Sequence, residues 1–221
     1  YVLNSNFQEK FRKPPDQDSD FGFAVWQSYP VVTGVWHQHN DIEVVYMDQG
    51  IMDYLFGGRV EALHPGELSI FWAARPHQVL GARDNAICRG LSVTLDWFLE
   101  RHFPERFTSR ILRGELILPP SVETIQDFPE CNSRWLEDLE PFCREKWQCM
   151  LIEVEAWFRR ADLALEGIMD DAGKVRRTRR PPGGEGLDRI SSMAAYINSH
   201  YMEPIQSADI AAAADLHPDH A

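Results

Sequence analysis

The stretch from residue 21 to residue 95 constrains this chain most. Short runs of apolar, aromatic and β-branched residues at 21–29, 42–47, 52–56, 68–72, 78–80 and 88–95 are separated by Gly34, Gly50, the Gly57-Gly58 pair and His64-Pro65-Gly66. Glycine and proline at that interval punctuate strands joined by tight turns. No helix-length periodic segment interrupts the runs, so a parallel sheet built from strand-helix-strand units is excluded here and an antiparallel sandwich or small barrel is expected. Val44 and Val45 lie in an unbroken apolar run, whereas Met52, Asp53, Tyr54 and Leu55 alternate less regularly, as expected of a strand with one face on a cavity.

Helical patterns follow. Asp96 stands where it can cap a short helix through Trp97, Phe98, Leu99 and Phe103. From Asn132 onward, Trp135, Leu136 and Leu139 share one side. Past Pro141 the pattern resumes with Trp147, Met150, Leu151, Val154, Trp157, Phe158, Ala161 and Leu165. Spacings of three and four predict an amphipathic helix pair hinged near Pro141, the second helix about 25 residues long. Its apolar stripe lies on the barrel, with a helix-helix dimer contact as the other reading.

Lys174 to Gly186 has no apolar periodicity. It carries five basic residues and one acidic one among prolines and glycines, so residues 171–186 are expected to be a linker. Its charge serves either as a solvated tether or in steering toward DNA. Beyond it, Ile190, Met193, Ala194, Ile197 and Tyr201 mark a helix that Glu203 and Pro204 stop, and Ser207 is placed to cap a second helix over residues 208–214. The expected organisation is therefore 1–170, 171–186 and 187–221.

Composition limits function. With 221 residues and 44% apolar content, the chain can bury one substantial core. A net charge of -12 has the wrong sign for gripping phosphate with the whole surface. Apolar runs fall short of the roughly 18 residues of a membrane span, the first 20 residues carry no signal-peptide pattern, and a cytoplasmic protein with no membrane partner is expected. Cys88, Cys131, Cys143 and Cys149 show no paired spacing and are read as reduced, with a Cys143-Cys149 bridge as the alternative. Tyr1 in the place of a starting Met and the end at Ala221 lead us to expect a piece of a longer protein.

The residues with most chemistry are His37, His39 and Glu43. On a strand, residues two apart share a face, so His37 and His39 point one way and Glu43 can join them after a short turn. Two imidazoles and a carboxylate on an inward face can ligate a divalent metal or offer convergent hydrogen bonds to a polar ligand. His77 is a fourth candidate.

These residues reach a family. His37-x-His39, three residues, Glu43, six residues and Gly50 resemble the first cupin motif. Gly66 to His77 resembles the second, with Trp72 and Ala74 where Pro and Gly are usual, and Gly81 where Asn is usual. The resemblance implies a jelly-roll β-barrel, mainly β with added α, in which His37, His39, Glu43 and His77 occupy the positions of the metal ligands of enzymatic members. It also places Trp72 as an aromatic wall at the barrel mouth.

The C-terminal residues Ile190 to Ala221 resemble the opening of the AraC/XylS-type DNA-binding domain. A first helix ends in Tyr201-x-x-Pro204, and an Ile210-Ala211 helix begins the first helix-turn-helix, with Asp215 and Leu216 at the turn. The resemblance covers nearly the whole chain: cupin sensor, helical dimerisation pair, linker and the first helices of a helix-turn-helix domain. Within the family, residues 71–78, the two histidines and Arg134-Trp135 are most similar to the melibiose-regulator subgroup, which implies a sugar effector such as an α-galactoside.

For a sugar, Trp36, Trp72 and Tyr54 are candidate stacking surfaces, or else ordinary core aromatics. His37, His39, Glu43, Arg75 and His77 are candidate partners for hydroxyls. A divalent metal at His37, His39, Glu43 and His77 remains the alternative occupant. The recognition helix would begin near Pro218, leaving only Asp219, His220 and Ala221 of its first turn, so the chain as given is not expected to bind an operator. The expected function is the ligand-sensing and dimerisation part of a homodimeric transcriptional activator or repressor, with no catalytic residues. The alternative is a metal-dependent cupin isomerase or dioxygenase.

Overall fold

Two long antiparallel strands organise the molecule. A computed structural model describes residues 9–15, 22–32, 34–119, 127–172, 178–179, 192–193, 196, 200 and 204–217. In it β3 (Asp41–Phe56) and β6 (His77–Thr94) pair along most of their lengths. β2 (Ala24–Ser28) lies beside β6, and β1 (Lys10–Arg12) edges β2. On the other side of β3, its first half pairs with β5 (Leu68–Trp72) and its second half with β4 (Arg59–Leu63). β7 (Leu116–Ile117) continues the sheet from β5.

The runs at 42–47 and 52–56 are one strand, although Gly50 reads as a break between them. Gly50 has φ +69°, and a Cβ there would meet the Ala86 Cα at 2.5 Å. It absorbs irregular register between Met47 and Ile51 without ending the ladder.

The sheet curls so that both halves of β3 meet. Phe56 and Tyr54, from the second half, lie 5.1 Å and 5.7 Å from the ring of Phe71 on β5, which pairs with the first half. Val45, Met47, Met52, Leu63 and Cys88 complete this barrel interior. Alternation sends the intervening residues the other way: Ile42, Val44, Leu68, Ile70, Leu91 and Val93 pack against helices.

The helical layer comprises α1 (Leu95–Glu100), α2 (Glu105–Leu112), α3 (Phe128–Asp138) and α4 (Arg144–Ala172). Thr94, not Asp96, caps α1: its hydroxyl accepts the Trp97 N–H at 3.2 Å, and Asp96 falls in the first turn. The expected pair around Pro141 is α3 and α4. Met150, Val154, Trp157, Phe158 and Ala161 of α4 are buried at helical spacing, while Ile152 and Leu163, on the outer side, are 69% and 60% exposed. Each fully buried large side chain contributes about 1.5–3 kcal/mol.

Polar clamps fix the layer in place. Asn132 of α3 donates to the Gly90 carbonyl at 2.8 Å, and Arg89 of β6 reaches Asp48, the Pro129 carbonyl and Ser133. Arg134 and the Trp135 indole both meet Glu153 of α4. All four cysteines are free.

Thr178 and Arg179, inside the expected linker, form a two-residue strand β8 against β7. Strand pairing uses main-chain groups and needs no apolar side chain, so the composition of the linker did not predict it. In the C-terminal part, Ser192, Met193, Tyr196 and His200 are helical, and the other residues expected in that helix lie outside the described ones. α5 (Ser207–Ala212) follows, capped by Gln206 in a capping box with Asp209 and not by Ser207. Asp215 takes φ +52° at the expected turn. Pro218 to Ala221 lie outside the described residues. Among the described residues, no helix is long and apolar enough to cross a membrane.

Candidate ligand and metal site

The loop entering β3 runs beside the segment between β5 and β6. His37 and His77 exchange both main-chain hydrogen bonds at 3.0 Å, the His39 N–H donates to the Ala73 carbonyl, and the Ala73 N–H donates to the Asp41 carbonyl. This pairing brings together His37 and His77, which are 40 positions apart. The His37 and His77 rings are 4.2 Å apart, the His37 and His39 rings 5.9 Å apart, and one ligand atom of each of the three lies within 4.8 Å of the others.

Electrostatics divides the three histidines. His39 lies between two carboxylates, with Nδ1 2.8 Å from Asp41 Oδ2 and Nε2 2.8 Å from Glu43 Oε1. Burial works against its cationic form, but hydrogen bonds to Asp41 and Glu43 overcome it and raise the pKa to about 9. His37 is held below the ordinary value by burial, against the pull of Glu43. Burial likewise lowers His77. At neutral pH His39 is thus an imidazolium, and the other two are neutral rings.

His77 is 1% exposed. Its Nδ1 donates to the Arg75 carbonyl at 2.8 Å, which leaves Nε2 as an acceptor, buried and without a hydrogen-bond partner among the described residues. An unsatisfied buried acceptor costs about 1–3 kcal/mol.

A cavity of about 440 Å³ opens beside this cluster. His37, His39, Asp41 and Glu43 are its polar lining, and Ala24, Trp26 and Ser28 of β2 continue the lining on the far side of β6. Glu9, Lys10 and Phe11 close a third side, with Val31 and Ser92 completing the lining.

No family model matches the sequence. The melibiose operon regulatory protein of Escherichia coli (strain K12) is 23% identical over 197 residues, covering 87% of this chain and 63% of that protein. The solved structure of the AraC-like transcriptional activator CuxR superposes with a TM-score of 0.56 at 12% identity, covering 96% of this chain and 77% of that one. Over most of its length the chain is similar to these two regulators. A cupin 2 conserved barrel domain protein from Salinispora arenicola overlaps 45% of this chain and 88% of its own, with a TM-score of 0.31 at 20% identity. The chain spans just under two thirds of the length of the curated relative it matches.

The structure brings His37, His39, Glu43 and His77 together. The aromatic and basic candidates do not join them. Trp36 is 60% exposed and outside the cavity lining. Trp72 is 3% exposed in the core beneath the helices, with its indole N–H donating to Asn40 Oδ1 at 3.1 Å. It is therefore not a wall of the barrel mouth: strand alternation turns Phe71 inward and Trp72 outward. Arg75 meets the site through its carbonyl, while its buried side chain packs on Gly114, where a Cβ would lie 2.2 Å from Nε. Tyr54 lies in the barrel interior, its ring 5.9 Å from His77.

Asp41 and Trp26 are among the lining residues that the sequence reading did not name. Asp41 shares strand parity with His39 and Glu43 and was legible by that rule alone. Trp26 of β2 carried no signal beyond its place in an apolar run.

The donor set fits a divalent cation in kind: His37, His39 and His77 form the compact group, His77 with an open Nε2, and the Glu43 carboxylate lies next to His39. His39 would have to surrender its Nε2 proton and its bond to Glu43 to join. A bound ion would supply a Lewis-acidic centre for hydroxyl or carboxylate oxygens.

Proposed function

We propose that this chain is the ligand-sensing and dimerisation part of an AraC-type transcriptional regulator in the cytoplasm, responding to a sugar such as an α-galactoside, and that it is not an enzyme. The name of the melibiose operon regulatory protein supports the sugar class. The observation that carries the reading is the cavity of about 440 Å³ with the His39, Asp41 and Glu43 array on one side and β1 on another. A ligand hydroxyl donating to the carboxylates of the array also meets the N-terminal strand.

Residues 1–170 are assigned to the sensor and dimerisation unit, 171–186 to the linker and 187–221 to the start of the DNA reader. Arg12 of β1 pairs with Glu140 at the turn between α3 and α4, so the strand that walls the cavity also touches the helical pair. Ligand binding biases the packing of β1 against that pair, and by linkage the helical arrangement biases ligand affinity equally. The outer face of α4, with Ile152 and Leu163, is the homodimer contact in this reading. DNA is the partner of the longer protein.

Calorimetric titration with melibiose and galactose, with and without a chelator, tests the proposal. Saturable heat that the chelator leaves intact and His77→Ala weakens is the expected result. No heat with any sugar, and no effect of His77→Ala, overturns it. The second reading, a metal-dependent cupin enzyme, is favoured by the three-histidine cluster and requires stoichiometric metal in the purified protein together with turnover.

A further inference from the structure

We infer that Trp26, laid across Gly90, is the plate on which the apolar face of a pyranose ring stacks in the barrel cavity. The inference rests on the sugar reading above and assigns the stacking role to a residue other than Trp36, Trp72 and Tyr54.

Gly90 on β6 is the cross-strand partner of Trp26 on β2. A Cβ at Gly90 would fall 2.0 Å from Cζ2 and 2.1 Å from Cε2 of the Trp26 indole. Gly90 does not have a positive φ, so glycine is required there by space and not by backbone conformation. The benzo part of the indole therefore rests on the β6 main chain, where any larger residue would push it away. Gly90 is held from behind by Asn132, which donates to its carbonyl. Both the plate and its support are thereby fixed.

Trp26 is half-buried and lines the cavity. The Glu43 carboxylate, the His39 imidazole, Ser28 and Ser92 line the same cavity, Ser92 and Glu43 in the next cross-strand row of the same sheet face. A flat apolar plate with acceptors and donors beside it matches a ring with a face of C–H groups and an edge of hydroxyls, which is the chemistry of a pyranose. The volume of about 440 Å³ falls in the range of small-molecule pockets. Phe11, the cross-strand neighbour of Trp26 on β1, extends the apolar side.

The test is calorimetric titration of melibiose, galactose, glucose and maltose into the full chain and its Trp26→Ala, Trp26→Phe, Gly90→Ala and Glu43→Gln variants, each checked for a cooperative thermal transition. For the sugar that the unmodified protein binds, Trp26→Ala is expected to weaken affinity about tenfold or more, and Trp26→Phe only a few-fold. Gly90→Ala is expected to weaken it although the indole is still present. If Trp26→Ala fails to fold, Trp26→Phe and Gly90→Ala decide. Sugar affinity unchanged in Trp26→Ala, or in Gly90→Ala where that variant must decide, but weakened in Glu43→Gln, overturns the plate while leaving the sugar reading intact. No binding of any of the four sugars to the unmodified protein overturns the sugar reading and the plate with it.

Discussion

Asp41 and His39 are joined by a 2.8 Å hydrogen bond, and the Asp41 oxygen that makes it also accepts the Gly22 N–H at 2.7 Å. One buried carboxylate thus orients a ring of the candidate site and anchors the chain just before β2. The Gly22 carbonyl in turn accepts the Ser92 hydroxyl. The position of the imidazole and the entry to β2 are mechanically linked.

A pH prediction follows from the His39 environment in the metal-free protein. Its folded pKa of about 9 lies above the ordinary 6.5, so its charged network stabilises the fold fully below about pH 6.5 and the stabilisation is lost as pH rises through about 9. Asp41→Asn is expected to lower the His39 pKa and flatten this loss. Imidazole NMR titration and thermal melts between pH 6 and 10 check both; a His39 pKa unchanged in the variant would refute the assignment.

Because Glu9, Lys10 and Phe11 wall the cavity, a bound sugar is expected to protect β1. Amide exchange at Lys10–Arg12 should slow on addition of saturating melibiose, while amides of β4, on the far side of β3, should not change. Equal slowing in both strands would indicate a global effect and not a contact.

Asn132 is fully buried and its amide satisfies the Gly90 carbonyl. Asn132→Ala is expected to destabilise the fold by about 1–3 kcal/mol through the orphaned acceptor. Urea unfolding measures this. Because Gly90 supports Trp26, the variant should also weaken sugar binding at temperatures where it remains folded.

The outer face of α4 exposes Ile152 and Leu163, which lie on the same side of the helix. Ile152→Glu and Leu163→Glu together are expected to shift a dimer to monomer in sedimentation velocity, with monomer stability changed by about 0.5 kcal/mol or less for each. Retention of the dimer would place the contact elsewhere.

Much of the fold was legible because its determinants are local. The runs between residues 21 and 95, the stripe from Met150 to Ala161 and the break at Pro141 depend on spacings of two, three and four along the chain. They were correct apart from the ends of elements, the bridging of Gly50, the joining of the runs at 78–80 and 88–95 into β6, and β4, which no run marked. Caps were less readable, since Thr94 and Asp96, or Gln206 and Ser207, offer equivalent side chains within two residues and the backbone angle selects between them.

For the site, the sequence by itself determined which groups are available: His37, His39, Glu43 and His77 at intervals that let strand parity align the first three. Only the tertiary structure decided what surrounds them. The inward turn of Phe71 sends Trp72 into the helical core, and the pairing of His37 with His77 closes the cluster. The register of β2 on β6 sets Trp26 over Gly90, 64 residues away. Parity is a property of neighbouring residues. Which distant strand completes the lining depends on register and on packing against the helices, and neither is written in local spacing.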